Sequence, residues 1–485
     1  MNVRIFFAVV FIALSGMSLF AQSPSDALRF SQNDFGGTAR NMGVAGAFNS
    51  LGGDFSVVGT NPAGLGFYST SELSVSPSLN FSDSEATYLD SLVSDKRSNF
   101  NVNQFGVVIA KKPYNAEGKD WKSSAFALGF NRLANYNRQF SFSGYNSQSS
   151  LTEYYANVAD GIAEGDLRDA RPFDAGLAYF SYLINPDTTQ LNAYTAIAQG
   201  GNVQQTQYML EKGGLDEMSI ALAGNYRNKL YLGLALGVPF VHYTRETTYS
   251  ENDRYNVIDD FNNFTQTDML TTNGIGVNAK FGVIYRPITQ LRIGFAAHTP
   301  TMLSLKDSYS TTMDSNFETF NPGVEESGQG RFEYRLATPW RISTGISGVI
   351  GQLGFLSLDY EWADYSQMEY DADGSSNFQI STNQAIRQNY AATSTVRLGA
   401  ELAYKIFRLR GGYALQTSPY RDTALSDNKR QSVSAGVGIR EDNLFVDVAF
   451  VHHTRQSNYL PYSTASSVAL SDAANNVVFT LGFRF

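Results

Sequence analysis

The final residues of the chain, Asn475-Asn476-Val477-Val478-Phe479-Thr480-Leu481-Gly482-Phe483-Arg484-Phe485, decide the fold. Val477, Phe479, Leu481, Phe483 and Phe485 occupy one set of alternate positions, and Val478, Thr480, Gly482 and Arg484 the other. Successive side chains of a β-strand point to opposite faces, so one face is apolar and the other mixes small, polar and cationic groups. The pattern recurs upstream. Val396, Leu398, Ala400, Leu402 and Tyr404 alternate with Arg397, Gly399, Glu401, Ala403 and Lys405. Ile275, Val277, Ala279, Phe281, Val283 and Tyr285 alternate with Gly276, Asn278, Lys280, Gly282 and Ile284, and Val433, Ala435, Val437 and Ile439 with Ser434, Gly436, Gly438 and Arg440. A polar face that sets charges beside glycine suits a wet or plugged lumen behind a lipid-facing wall. The segments also run for roughly 10–20 residues, against about 5–6 in soluble proteins. The expected fold is all-β, a transmembrane antiparallel β-barrel.

Working back from the C-terminus gives about fourteen segments, an even number as bacterial single-chain barrels require. They fall near 71–88, 101–112, 122–143, 215–227, 229–250, 269–287, 290–312, 330–351, 353–369, 394–406, 407–420, 430–441, 443–459 and 475–485. Short turns such as Arg227-Asn228-Lys229, Pro287-Ile288-Thr289 and Glu441-Asp442-Asn443 belong on the periplasmic side, and the longer links 252–268, 313–329, 370–393 and 460–474 outside. Segment 144–214 is the longest link; Leu151 to Gly165 and Phe173 to Leu183 have helix-like apolar spacing, and a Gln-rich tail follows from Gln199 to Gln207. A loop of this length in a compact fold is usually functional. The competing reading is a cap of short helices over the barrel mouth.

The N-terminus agrees. Arg4 precedes an apolar run from Ile5 to Leu14, followed by small and polar residues up to Ala21. These are the parts of a secretory signal, with an apolar run too short to span a bilayer, which takes roughly 20 residues. Cleavage is expected between Ala21 and Gln22, giving a signal peptide at 1–21, an N-terminal segment at 22–70 and a barrel at 71–485. Composition fits: 28 Tyr, 34 Phe and 42 Gly against 13 Pro suit strands, interfacial aromatic girdles and close backbone approach. The net charge of −9 without basic runs argues against nucleic acid, and the lack of cysteine rules out disulfides and thiolate metal sites. His242, His298, His452 and His453 lack metalloprotease spacing, and no G-x-S-x-G motif occurs, so no metal, cofactor or enzymatic activity is expected.

Residues 36–66 do not read as a strand. They contain Gly36-Gly37-Thr38-Ala39-Arg40-Asn41-Met42-Gly43-Val44-Ala45-Gly46-Ala47-Phe48, then Gly53-Asp54, then Asn61-Pro62-Ala63-Gly64-Leu65-Gly66. Small residues and glycine let a segment pack closely inside a lumen, and Asn-Pro starts a turn. This segment resembles the hatch of the FadL/TodX family of outer-membrane transporters for long-chain fatty acids and other hydrophobic compounds. The match continues in order through Leu291-Arg292-Ile293-Gly294-Phe295 with Thr299-Pro300, Thr338-Pro339-Trp340, Asp359-Tyr360-Glu361-Trp362-Ala363-Asp364-Tyr365-Ser366, Arg410-Gly411-Gly412-Tyr413 with Ser418-Pro419, and Gly482-Phe483-Arg484-Phe485.

The resemblance implies fourteen strands around a hatch carrying the Asn61, Pro62, Ala63, Gly64 motif. It also implies a collecting groove between outer loops, a pocket near the hatch N-terminus, and a hatch shift that opens a route, in some members sideways through the wall. The 144–214 loop would supply the groove, with Leu151, Tyr154, Tyr155, Phe173, Tyr179, Phe180 and Tyr182 as apolar contacts. Lys280, Arg292, Arg341 and Arg397 are lumenal candidates for a substrate carboxylate; the competing reading pairs them with Glu361 and Glu401. Phe485 resembles the terminal aromatic read by the barrel assembly machinery. Expected partners are a hydrophobic substrate, outer-membrane lipids and lipopolysaccharide around a monomer. The rival functions are a general diffusion porin, and a surface receptor or adhesin whose loops bind haem or a host ligand.

Overall fold

The computed structural model describes residues 23–113, 119–372, 376–422 and 428–485; the expected cleavage between Ala21 and Gln22 lies outside the described residues. The strands are β1 (Glu72–Tyr88), β2 (Ser91–Lys111), β3 (Trp121–Asn135), β4 (Arg138–Asn146), β5 (Val203–Tyr226), β6 (Leu230–Asn252) and β7 (Phe261–Ile288). They continue with β8 (Leu291–His298), β9 (Met302–Phe317), β10 (Gly330–Ala337), β11 (Arg341–Ile350), β12 (Gly354–Asp364), β13 (Ala392–Tyr404), β14 (Phe407–Gln416), β15 (Arg430–Glu441), β16 (Leu444–Tyr459) and β17 (Val468–Arg484). Three pairs, β3–β4, β8–β9 and β10–β11, are single staves with a kink, so the described residues form a closed antiparallel barrel of 14 staves. Closure is made by β1 against β17, from Glu72 opposite Arg484 to Thr87 opposite Ala469. Phe485 adds a last rung, exchanging N–H···O bonds of 3.0 and 3.2 Å with Ser71.

Alternation builds the two faces. Leu356, Leu358, Val396, Leu398, Val433, Val437, Phe479 and Leu481 are exposed on the outside, while Ser357, Asp359, Glu401, Ser434 and Thr480 between them are buried inside. The inside is buried because the segment from Ser23 to Tyr68 fills it. Helix α1 (Pro24–Ser31) opens with a capping box between Ser23 and Asp26, and α2 (Ala39–Gly43) is capped by Thr38. A 3₁₀ turn spans Pro62–Phe67.

Several strands outrun their expected limits. β2 begins at Ser91 because Leu89 and Asp90, both at positive φ, make a two-residue turn where an outer loop to residue 100 was expected. β5, β7 and β17 begin at Val203, Phe261 and Val468, so the long link is 147–202 and the Gln-rich tail is partly strand. In these extensions the outer face is polar and the apolar residues turn inward onto the cap, Val203, Phe261, Phe264, Val468 and Leu470 among them, so the alternation that marks a lipid-faced strand is missing. The kinks were also unforeseen. Thr299-Pro300-Thr301 and Thr338-Pro339-Trp340 interrupt neighbouring staves, since proline cannot donate to a ladder, and Thr301 N–H instead donates to Thr338 Oγ1 at 2.9 Å.

Leu358 lies on the lipid face and Ser357 on the lumenal face of one strand. Leu358→Arg should cost about 2–4 kcal/mol if the position lies near the bilayer midplane, while Ser357→Ala should cost much less. Urea-unfolding midpoints in lipid vesicles test the sidedness; equal costs would contradict it.

Candidate functional site, the hatch and the seam in the wall

The hatch is docked through its Asn-Pro turn. Asn61 is fully buried; its Oδ1 accepts the Ala63 N–H at 3.1 Å, and its Nδ2 donates to the carbonyl of Asn49 at 2.7 Å. The same Nδ2 also reaches the barrel carbonyls of Val283 and Phe295 at 3.3 Å each. One amide thus clips two stretches of hatch to two staves. Pro62, Ala63 and Gly64 follow in the 3₁₀ turn, which lies against β6 and β7 where Gly233 and Gly282 face inward. A Cβ on Gly233 would collide with the Pro62 carbonyl carbon and Ala63 N, and one on Gly282 with Asn61 Oδ1. The wall is bare of side chains where the hatch backbone touches it.

Buried ion pairs hold the rest. Arg40 meets Glu401 at 3.1 Å, and Arg410 meets the same carboxylate at 2.7 Å and Asp447 at 2.6 Å. Asp359 accepts the Asn49 N–H at 2.7 Å. Of the lumenal basic candidates, Lys280 pairs with Glu217, and Arg341 and Arg397 flank Glu361 at 3.5 and 3.2 Å. Arg341 also donates to the Ser31 carbonyl of the hatch. Arg292 lies over the Phe67 ring at 4.2 Å, its Nε without a hydrogen-bond partner. Three of the four therefore sit in an internal lattice, although Lys280 takes Glu217 and Glu401 is held by Arg40 and Arg410.

The outer mouth is covered by the 147–202 link, whose helices α3 (Leu151–Ala159) and α4 (Ala175–Phe180) pack on Phe140, Phe142, Tyr249, Phe264 and Met313 of the staves. Glu251 anchors the cap, accepting the Leu151 N–H at 2.8 Å and the Tyr249 hydroxyl at 2.7 Å. Tyr155 is enclosed in this core and donates to Gln266, so its ring offers no free contact face. Tyr154 is half-buried at the core's edge. Phe173 packs on Tyr309 of β9 at 4.8 Å, and Arg168 lies over Phe180 at 4.0 Å. Tyr182, 50% exposed, meets Phe320 edge-on. Below the cap, α1 places Leu28 and Phe30 among Tyr243, Tyr334, Leu336 and Tyr370. Arg245 is half-buried between these two cores; Tyr243, Asp26, Glu211 and Asp268 are near enough to act on its charge, but it makes no direct ion pair or hydrogen bond among the described residues.

The wall itself is incomplete at one place. β3 is laddered to β2 only from Lys111–Ser124 to Gln104–Asn131. Beyond that rung β2 remains paired with β1, while β4 bends inward and pairs with β5 alone. Side chains span the resulting seam: Asp95 accepts the Ser141 N–H and hydroxyl, both at 2.6 Å, and Gln139 donates to the Lys96 carbonyl at 3.1 Å. On its lips, Arg97 Nε and the amide groups of Asn99 and Asn131 are buried without hydrogen-bond partners. The hatch meets the wall at this kink, where the Asp34 N–H donates to the Leu133 carbonyl at 2.7 Å. A cavity of about 160 Å³ lies there, lined by Asp34, Phe35, Asn101, Arg132, Arg138 and His453 among others. Burial alone would raise the Asp34 carboxyl, but Arg430, with His453 and Arg455 behind it, holds it below the usual carboxylate range.

Asp34, Leu133, Arg245 and the seam were not singled out from sequence. The available signal was Asn131-Arg132-Leu133-Ala134-Asn135-Tyr136-Asn137-Arg138, where the alternation of an expected continuous strand lapses into polar residues.

A lipid-faced barrel, a lumen filled by its own N-terminal segment and a seam beside that segment define a plugged outer-membrane transporter. The family model for outer membrane protein transport proteins of the OMPP1/FadL/TodX type matches residues 17–485, and the chain belongs to this family. It is an outer-membrane transporter of hydrophobic compounds. The toluene transporter TodX of Pseudomonas putida shares the fold with a TM-score of 0.56 at 11% identity, over 94% of this chain and 100% of that one. A FadL homologue of Pseudomonas aeruginosa gives 0.54 at 11%, over 94% and 99%. The toluene transporter TbuX of Ralstonia pickettii gives 0.51 at 14%, over 93% and 99%. No curated protein matches the chain in sequence.

Asn61→Ala removes the side chain that bonds both the Asn49 carbonyl of the hatch and the Val283 and Phe295 carbonyls of the wall. The expected cost is about 1–3 kcal/mol, with the barrel still folded and the hatch loosened. Limited proteolysis should cut between residues 49 and 60 at least tenfold faster than in the unmodified protein. Unchanged cleavage would contradict the docking role.

Proposed function

We propose that the protein admits long-chain fatty acids or related lipids by passive diffusion, from the outer loops to the space around α1 and then sideways through the seam between β2 and β3 into the membrane. The observation that carries this reading is the end of the β2–β3 ladder at Gln104–Asn131, beside the hatch contact at Asp34. Passage straight down would break the buried pairs of Arg40, Arg410 and Asp359, and stripping a partner from a buried charge costs about 3–5 kcal/mol. Passage through the seam asks that residues 32–37 yield together with the half-buried Asp34–Arg430 pair, and that the bridges of Asp95 to Ser141, Gln139 to Lys96 and Arg132 to Asn101 open. An apolar substrate gains roughly 25 cal/mol per Å² on leaving water for lipid, so no energy-coupling partner is required.

The exposed edge of Tyr182 and Phe320, with Phe173 and Phe180 near it in the cap, serves as the capture surface; Asn61 to Gly64 hold the hatch as it moves. Arg245 meets the substrate's anionic head, since among the described residues the nearby carboxylates Asp26, Glu211 and Asp268 make no direct ion pair with it. A monoaromatic hydrocarbon is the second reading, because related structures are described as toluene transporters and a monoaromatic hydrocarbon channel. The ring pair Phe173–Tyr309 would suit such a ligand. Arg245 separates the two, as a hydrocarbon has no use for a cation.

In cells lacking other importers, Arg245→Gln should lower oleate uptake about tenfold and leave toluene uptake unchanged. Equal loss of both, or of neither, would reject the anionic head. The sequence has no native cysteine, so Lys96→Cys with Gln139→Cys, which face each other across the seam, can be bridged by a bifunctional maleimide. Bridging should abolish uptake, and cells carrying either single cysteine should be unaffected; uptake that survives the bridge rejects the lateral route.

A further inference from the structure

The outer surface of β9 and β10 carries a feature that transport does not use. Their register sets Ser304 opposite Arg335, Lys306 opposite Glu333 and Ser308 opposite Arg331. All six positions alternate with the lumenal Leu303, Leu305, Tyr334 and Leu336, and so face outward. The next rungs toward the short-turn rim are apolar: Met302 stands opposite Ala337 and, across β7, opposite Val277, and both Met302 and Val277 are exposed. Away from that rim the same face turns acidic, with Glu326 opposite Thr312 and then Asp314. The strip therefore reads apolar, basic, acidic along one direction. In a chain of net charge −9, three cations and two serine hydroxyls within three rungs are not a consequence of composition.

We propose that this strip binds the phosphorylated head group of the glycolipid of the outer leaflet, with its acyl chains along Met302, Val277 and Ile275. Position selects the occupant. The long loops of such barrels face the cell exterior, so the basic rungs lie at the outer end of the apolar band, where acyl chains give way to phosphate. The cations are free to exchange partners. Lys306 and Arg335 are 55% and 61% exposed, paired with Glu333 at 2.6 Å and Asp371 at 3.6 Å. Exposed pairs of this kind are worth about 0–1 kcal/mol. Arg331, among the described residues, bonds the neutral Gln329 at 3.4 Å and makes no ion pair. A guanidinium grips two phosphate oxygens at once, which makes a phosphate the stronger partner for both arginines. Glu333 and Asp371, once released, can share a divalent cation with a second phosphate.

The test uses the full mature protein in detergent, with native mass spectrometry counting bound bisphosphorylated lipid A. The unmodified protein should retain the lipid saturably, and chemically dephosphorylated lipid A should bind at least tenfold more weakly. Lys306→Gln with Arg331→Gln and Arg335→Gln should weaken lipid A binding at least tenfold. A charge-matched control at the short-turn rim, Lys111→Gln with Lys112→Gln and Lys229→Gln, should not. Equal binding of both lipids to the unmodified protein overturns the proposal whether or not the triple variant folds. So does equal loss in both triple variants, which would make the effect one of bulk charge, or full displacement of lipid A by millimolar inorganic phosphate, which would make the site one for a free anion.

Discussion

Inside hydrocarbon every backbone N–H and C=O must find a partner within the protein, and the rest of this structure depends on where that pairing is complete and where it stops. Around most of the ring it is complete, and closure of β1 on β17, extended by the Ser71–Phe485 rung, leaves no open edge between the first and last strands. At Gln104–Asn131 it stops. The inward bend of β4 leaves an edge bridged by side chains, Asp95 to Ser141, Gln139 to the Lys96 carbonyl and Arg132 to Asn101. A break of this kind is tolerated where protein or water stands behind it, and here the hatch and a polar cavity do so.

The lumen follows the complementary rule. Its walls carry charges because they face protein and water rather than lipid, and those charges find partners across the hatch boundary: Arg40 with Glu401, Arg341 with the Ser31 carbonyl, Asp359 with the Asn49 N–H, Arg430 with Asp34. Such bonds are weak evidence for net stability but strong evidence for register, since a misplaced hatch would leave several buried charges unpaired. The hatch is therefore seated in one position. The hydrogen bond from Asp34 to Leu133 ties that position to the state of the seam.

Much of this was legible in the sequence wherever one physical pattern acted over a long stretch. Period-two alternation marked the membrane parts of the staves, because lipid on one side and protein on the other impose opposite demands on neighbouring residues. The hatch motif around Asn61-Pro62-Ala63 was legible because an Asx turn and small residues have local signatures. Strand extensions such as Phe261 to Asp268 and Val468 to Ala474 were not, because there the outer face is polar and the apolar residues turn inward onto the cap, Phe261, Phe264, Val468 and Leu470 among them. The break at Tyr136 and Asn137 was visible only as a lapse in alternation. Tyr155 read either as an apolar ligand contact or as packing between the loop's helices, and burial in the core of the cap is what no local run of residues could decide.

The sequence alone determined that the chain makes a lipid-faced barrel with its N-terminal segment set apart, because these follow from periodicity and local turn chemistry. Tertiary structure alone decided which charges meet. Lys280 belongs to Glu217 and Arg410 to both Glu401 and Asp447, whereas Arg245 makes no direct ion pair among the described residues. It also decided that the ladder ends beside Asp34. Partners hundreds of residues apart are chosen by barrel register and by the depth at which the hatch lodges, and no local run of residues encodes either.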